Sequence, residues 1–362
     1  MTTNELDSRV RTDLRQLKDD VRRIEARIET ADHNFENRLL DEFRDLKDHM
    51  LKLEAQIDSI ARAFSRQRHR SRRSWLRPPL WTFEQYRPRK LTIGSLYPNE
   101  QIAPNAISIA IGTPTFNYGK YLRATIDSVL MQKYPNLTYV VQDGGSSDNS
   151  VEILRSYGSR LQWRSERDGG QSQAINRALA TCECDVMAYL NSDDMLLPGT
   201  LAYVAQVFET RPDIDIVYGH RIFVDRNGLE VGRAVLPPHD AKALYWADYI
   251  PQETMFWRRR VWDAIGPFDE SFKYALDWDF LLRAQYADFR FLRVPRFIAC
   301  FRVHDEQKTA VNYDEGRDEM QRLRSRYLGY EPSHRDVIKN LRPYLLRQFL
   351  INWMYRFGIL RY

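Results

Sequence analysis

Apolar side chains recur at Leu14, Leu17, Val21, Ile24, Ile28, Ala31 and Phe35, and again at Phe43, Leu46, Met50, Leu53, Ile57, Ile60 and Phe64. The spacings alternate between three and four, charged residues fill most positions between, and neither Gly nor Pro interrupts the run. The pattern predicts one long helix with a heptad seam. Through Leu39, the step from Phe35 to Phe43 is four and then four, an insertion that locally unwinds a supercoil. So narrow an apolar stripe seeks a partner helix. The expectation is a coiled coil over residues 1–65 that joins copies of the chain as a homo-oligomer; a solvated helix folded back on its own body is the alternative.

Residues 66–105 read as a basic linker, and from residue 106 the pattern changes. Short apolar runs at Ala106–Ile111, Leu137–Val141, Leu161–Trp163 and Val186–Leu190 predict strands. Lys120–Gln132, Ser147–Tyr157, Gln171–Ala180 and Gly199–Glu209 predict helices between them. Strand and helix alternate, so the expected fold class is α/β, a mostly parallel sheet with helices on both faces and ligands at the carboxyl ends of the strands. The last stretch, residues 311–362, predicts a helical tail. In it Leu345, Leu346, Phe349, Leu350, Trp353 and Phe357 have helical spacing beside Arg342, Arg347, Arg356 and Arg361. Such a helix either lies in a membrane interface or packs on the body.

The chain has 362 residues, 43% of them hydrophobic and 28% charged, enough for one large domain with appendages. Its 54 basic and 49 acidic residues nearly balance, but they are unevenly placed. Residues 1–64 carry 12 basic and 15 acidic side chains, residues 65–90 carry 9 and 1, and residues 335–362 carry 6 and 1. The acidic body between basic flanks argues against a nucleic-acid partner and for an anionic surface. The Arg run from Arg66 to Arg77 beside Trp75 and Trp81 suits a bilayer headgroup region, or serves as a charged hinge. Three cysteines, Cys182, Cys184 and Cys300, fit neither a disulfide framework nor a zinc site. The polar first residues lack the apolar core of a signal peptide, and no run of about 18 apolar residues predicts a spanning helix. The expected location is cytoplasmic, with peripheral contact at the inner face of the cell membrane as the further possibility the basic flanks raise.

Polar residues with chemistry collect at the ends of the four predicted strands. They read GTPTFN from Gly112, QDGGSSD from Gln142, ERDGGQ from Glu166 and NSDD from Asn191. One Gly-rich turn is ordinary loop chemistry; four at successive strand ends are a site. No G-x-G-x-x-G and no G-x-x-x-x-G-K-[ST] is present, which excludes the dinucleotide fingerprint and the P-loop. Adjacent acids at Asp193 and Asp194 repel each other unless neutralised. They invite Mg²⁺ or Mn²⁺, which commonly bind one or two carboxylates plus phosphate oxygens and water.

With these motifs on the page, residues 107–210 resemble the nucleotide-binding half of an inverting, GT-A fold glycosyltransferase of family 2. The resemblance runs on through DGGQSQAINRAL, PQETMFWRR, YALDWDFLLR and FRVH to about residue 310. It implies a GT-A domain over 106–310, divided into a nucleotide-binding half (106–210) and an acceptor half (211–310). The implied partners are a nucleotide-sugar donor and a saccharide or lipid-linked saccharide acceptor, as in bacterial surface polysaccharide or glycoconjugate assembly. By position, Pro114, Phe116 and Asn117 flank the base and ribose, and Asp143 accepts a hydrogen bond from the base. The second acid usual in that turn is replaced here by Gly144. Arg167 and Asp168 line the donor pocket. Asp193 reaches the ribose or the metal, and Asp194 and His304 serve the divalent metal. Asp277 is the catalytic base. Its usual acidic neighbour is replaced by Leu276, and Asp279 competes for the role. Gln252, Glu253 and Trp278 line the acceptor pocket.

The chemistry agrees with that assignment: an acceptor hydroxyl is a poor nucleophile until a positioned carboxylate takes its proton. Two other classes stay open from sequence, a non-catalytic scaffold with a degenerate sugar-nucleotide fold and a nucleotidyltransferase.

Overall fold

The computed structural model describes residues 83–93, 106–304 and 313–362, all within one compact unit, Pro78–Tyr362. The expected coiled coil (1–65) and most of the basic linker lie outside the described residues.

The elements follow in the order β1 (Ile109–Thr115), α1 (Gly119–Leu130), β2 (Leu137–Asp143), α2 (Ser150–Ser156), β3 (Gln162–Ser165), α3 (Gln171–Leu179), β4 (Val186–Tyr189), β5 (Met195–Leu196) and α4 (Thr200–Thr210). Then come β6 (Ile216–Val224), β7 (Glu230–Ala234), α5 (Ala241–Leu244), β8 (Phe256–Arg258), α6 (Arg259–Ile265), α7 (Leu276–Tyr286), β9 (Phe291–Arg302), α8 (Tyr313–Leu328) and α9 (His334–Arg356). The strands form one sheet in the order β3-β2-β1-β4-β8-β6-β9-β5, with β7 paired to β6. Strands β1–β4 pair in parallel, as do β6 and β9, and these pairings take up most of the sheet's paired length. β8 runs antiparallel between β4 and β6 and joins the two halves. The expected mixed α/β class, with a mostly parallel sheet flanked by helices, is the fold observed.

The alternation of side chains along a strand explains the two layers. Ile109 and Ile111 of β1 face one core with Leu122 and Ile126 of α1, Leu154 of α2, and Leu201 and Val204 of α4. Ala110 faces the opposite core with Ile175 and Ala178 of α3, Val261 and Trp262 of α6, and Phe280 of α7. α3 lies so close to β1 that a Cβ on Gly112 would sit 3.1 Å from Ala178 Cβ. That close approach carries the start of α3 to the ends of β1 and β4.

Two features beyond the sheet position the second half of the site. Glu319 of α8 accepts hydrogen bonds from the backbone N–H groups of Lys273, Tyr274 and Ala275, each at 2.8 Å. Its carboxylate holds the chain entering α7 and sits favourably at that helix's positive end. α9 begins with a Ser333–Asp336 capping box and packs on the body. Tyr344 lies on Tyr249 at 4.4 Å between ring centroids, and Gln348 donates to the Val235 carbonyl at 2.6 Å. The side chains that meet the body are therefore Leu341, Tyr344, Gln348, Asn352 and Met354, all buried. Leu346, Phe349, Leu350 and Trp353, singled out in the sequence, are half-buried. Among the described residues no helix is long and apolar enough to cross a membrane.

Candidate functional site

Two cavities open at the carboxyl end of the parallel strands. The larger, about 570 Å³, is lined by Pro114, Thr115 and Phe116 after β1, Gly144 after β2, Arg167 and Asp168 after β3, and Asn191, Ser192 and Asp193 after β4. The smaller, about 240 Å³, lies between Asp193 and Asp194 on one side and Asp248, Glu253 and Asp277 on another, with Phe83, Arg221 and Phe301 also on its wall. Gln171, Asn191 and Asp193 line both. The two spaces thus meet at the carboxylate turn after β4.

The first cavity is shaped by its turns. Asp143 ends β2 and is fully buried. Its carboxylate accepts from the N–H groups of Gly145 and Ser146 and from the hydroxyls of Ser146 and Ser165. Those four bonds commit both oxygens to the turn, and Asp143 lines neither cavity. Asn117 likewise works on the backbone. It adopts a left-handed φ of 56°, accepts from Ser147 N at 2.8 Å through Oδ1, and donates its own N–H to Ser146 Oγ at 2.7 Å. It ties the β1 turn to the β2 turn and is absent from the cavity wall. Phe116, by contrast, is 58% exposed on that wall. The space beside Gly144 belongs to Asp168: a Cβ on Gly144 would lie 3.0 Å from Asp168 Oδ2. Asp168 is half-buried and accepts from Gly170 N at 2.9 Å through Oδ1. Arg167 stands exposed at the rim.

The turn after β4 is held from three directions. The Thr125 hydroxyl of α1 lies 2.8 Å from the Ser192 carbonyl and 2.7 Å from the Asp194 carbonyl. Arg302, at the end of β9, donates Nε–H to the Asp193 carbonyl at 2.8 Å and its backbone N–H to Asp194 Oδ1 at 3.0 Å. Asn191 donates to Gln252 Oε1 at 3.0 Å and accepts from Gln171 Nε2 at 2.7 Å. Gln252 in turn donates to the Tyr189 carbonyl at 2.8 Å. His304 Nε2 lies 3.0 Å from Asp193 Oδ2, with the Tyr121 ring 4.8 Å from the imidazole. Asp194 is buried. That desolvation, with the adjacent charges of Asp193 and Glu253, pushes its pKa well above the usual carboxylate range.

These donors fit a hard divalent cation in part. Asp194, forced toward neutrality by burial, regains ionisation beside a dication. Among the described residues, however, no three His, Cys, Asp or Glu side chains converge as a metal cluster. A cation here would draw its remaining ligands from a diphosphate and water, the usual habit of Mg²⁺.

The second cavity separates the two candidate bases. Asp277, in the first turn of α7, is half-buried and lines it. Asp279 is fully buried and paired with Arg283 at 2.8 Å and Arg326 at 3.4 Å, away from the cavity. Residues two apart on a helix point in different directions, so the two acids divide between site and scaffold. Glu253 is 3% exposed and faces Arg221 at 3.5 Å. Burial raises its pKa and Arg221 opposes the rise. Trp278 borders the cavity but has no exposed surface. Its Nε1–H donates to the Leu244 carbonyl at 2.8 Å and its ring carries Arg324, so it is a core residue supporting α7.

Sequence reasoning did not single out Asp248, Arg221 or Phe83. Asp248 is exposed at the second cavity, where desolvation by the surrounding wall, then the charge of Asp277, pushes its pKa up. Phe83 is 38% exposed and packs on Phe223 and Phe301. The one available signal for Asp248 was its place four residues before Gln252. For Arg221, in the middle of a long apolar strand, the signal was a charge where a strand is otherwise buried.

Comparison with known proteins fits this arrangement. Residues 110–268 match the family model described as glycosyl transferase family 2. Over that stretch the chain is similar to family 2 glycosyl transferases. A relative from Mycobacterium bovis, named a PGL/p-HBAD biosynthesis glycosyltransferase, is 31% identical over 175 residues; the alignment covers 47% of this chain and 66% of that protein. An uncharacterized glycosyltransferase of Rickettsia typhi is 25% identical over 217 residues, covering 56% of this chain and 65% of that one. Among solved structures, residues 1–349 of TarS from S. aureus, in complex with UDP-GlcNAc, superpose with a TM-score of 0.52 at 20% identity, covering 67% of this chain and 73% of that one. That likeness is one of fold. The matched residues contain all four strand-end turns of the first cavity, together with Gln252 and Glu253. Asp277 and His304 lie beyond the matched residues.

Proposed function

We propose that the protein is a metal-dependent, inverting glycosyltransferase that moves a sugar, of the hexosyl type, from a nucleoside diphosphate to an acceptor hydroxyl. The observation that carries the reading is the meeting of two cavities at Asp193, with Asp277 on the wall of the second. A donor in the first cavity would present its anomeric carbon at the junction, and an acceptor in the second would approach from the opposite side.

The residues divide the work. Pro114, Phe116, Gly144, Arg167 and Asp168 enclose the base and ribose. Asn117 and Asp143 keep the walls of that enclosure in shape through the bonds described above. Asp193, Asp194 and His304 would hold Mg²⁺ or Mn²⁺ with the diphosphate oxygens, and a bound dication neutralises the charge that builds on the leaving diphosphate. Asp277 accepts the proton of the acceptor hydroxyl, which attacks the anomeric carbon in a single displacement. Gln252 fixes Asn191 at the junction, and Glu253 fixes Arg221. The name of the Mycobacterium bovis relative and the basic flanks support a role in glycoconjugate or surface polysaccharide assembly. They also favour a cytoplasmic enzyme at the inner face of the membrane, with copies joined through the heptad segment.

The test is thermal unfolding of the full chain against UDP, GDP, dTDP and CDP, each with and without Mn²⁺. One nucleotide should raise the midpoint in a Mn²⁺-dependent way, by mass action worth about 2.7 kcal/mol at a hundredfold excess over Kd. Asp194→Ala should lose that Mn²⁺ dependence. No shift with any nucleotide in folded protein would sink the reading.

A further inference from the structure

Asp248 stands in the loop between α5 and Gln252, in no strand-end motif, yet it lines the second cavity together with Asp277. The charged groups around that cavity come from five places. The β4–β5 turn gives Asp193 and Asp194, β6 gives Arg221, the loop gives Asp248, the turn before β8 gives Glu253, and α7 gives Asp277. α8 contributes the uncharged Met320. The one guanidinium on this wall among the described residues, Arg221, faces Glu253 at 3.5 Å, a pair long enough to leave Glu253 Oε1, itself buried, without a hydrogen-bond partner among them. Phe83, Tyr249 and Tyr274 supply aromatic surface on the same wall.

Taking the transferase reading as its basis, we propose that Asp248 and Asp277 form a two-carboxylate subsite for one uncharged sugar. Asp248 accepts a hydrogen bond from a hydroxyl next to the one that Asp277 deprotonates. Carboxyl oxygens accept hydrogen bonds and hydroxyl groups donate them, so a polyol matches this wall. A phosphate or uronate carboxylate offers no donor and meets like charge from two sides. In the transfer, the acceptor O–H bond breaks and its proton goes to Asp277. The freed oxygen bonds to the anomeric carbon of the donor sugar. The bond from that carbon to the diphosphate oxygen breaks, and its electron pair leaves with the nucleoside diphosphate. The proximity of Asp277, after desolvation by the cavity wall, is among the causes that raise the pKa of the exposed Asp248, as expected of two carboxyl groups lining one space. A bound hydroxyl donor between them relieves that repulsion.

Saturation-transfer NMR on the full chain, with Mg²⁺ and whichever nucleoside diphosphate raises the unfolding midpoint, tests this without knowledge of the donor sugar. The probes are methyl β-D-glucoside, methyl β-D-galactoside and methyl α-D-mannoside against methyl β-D-glucuronide. At least one neutral glycoside should bind and the glucuronide should not. Asp248→Asn should weaken the neutral glycoside by about tenfold, the loss a hydroxyl-recognising site suffers when its partner changes. Asp248→Glu should recover part of it, and the unfolding midpoints of both variants report that they fold. Equal binding of the glucuronide, unchanged affinity in Asp248→Asn, or no glycoside binding at all would overturn the proposal and leave the transferase reading standing. Absence of any nucleotide-dependent midpoint shift strikes the transferase reading itself.

Discussion

Carboxylates in this site differ in what surrounds them, and that difference assigns their work. Asp143 is buried but accepts four hydrogen bonds, and Asp279 is buried between two arginines. Asp248 has Asp277 for a neighbour and a raised pKa. The sign of its effect on stability follows. A carboxyl whose folded pKa lies above its unfolded value binds more protons in the native state, so its stabilising share is complete below the ordinary Asp value near 3.8. That share is lost as pH rises through the folded value. Asp248→Asn should therefore be more stable than the wild type at neutral pH, with the difference closing on acidification. Urea unfolding of both proteins across pH 4–8 measures it; a constant gap would show that the carboxyl does not titrate in this window. The residue types at the strand ends were legible in the sequence because the motifs are contiguous. Which oxygens remain available was not, since Ser165 reaches Asp143 from 22 residues away.

Among the elements, α7 depends most on a distant one. Asp277 projects into the cavity from its first turn, and the three N–H groups leading into that turn end on Glu319 of α8. Glu319→Ala leaves them without their acceptor, at a cost of about 3 kcal/mol, so the thermal midpoint should fall by roughly 6–12 °C. Glu319→Gln keeps one acceptor oxygen and should fall less. A scan of the three proteins decides it, and equal midpoints would remove α8 from the account of the site. Periodicity foretold strands β1 to β4 and helices α1 to α4 within a few residues, because most of them carry an apolar face of their own; β3, with only Trp163 half-buried, is the exception. The α7 start was legible too, from the apolar run after Asp279. Its attachment was not: Glu319 sits on a polar helix 40 residues downstream. Similarly, β6 and β9 pair with a register shift beside Gly219, where a Cβ would fall 2.3 Å from Ile298 Cγ1. A glycine in a strand signals a close approach, and only the partner strand says to what.

For the whole molecule, the sequence expects copies held together by residues 1–65. Analytical ultracentrifugation of the full chain should give a multiple of the 42.9 kDa protomer mass. The double substitution Ile24→Asp and Leu53→Asp, each on the heptad seam, should return the protomer. A wild-type protein already at the protomer mass would leave the seam without a partner helix.

The division between sequence and tertiary structure runs along chain distance. The sequence by itself determined the α/β alternation, the four strand-end turns and the carboxylate pair, because each is written in residues close enough to be read together. It also favoured Asp277 over its competitor Asp279, by position in the motif. Tertiary structure decided that Asp279 is tied to Arg283 and Arg326 while Asp277 faces a cavity. It decided too that Asp143 and Asn117 hold turns while Asp168 fills the space beside Gly144, and that Trp278 is core. Finally it brought Asp248, Arg221 and Phe83, from three separate segments, to one wall. Each of those outcomes depends on which long-range partner takes a side chain's hydrogen bonds or covers its surface, and a linear pattern carries no record of partners.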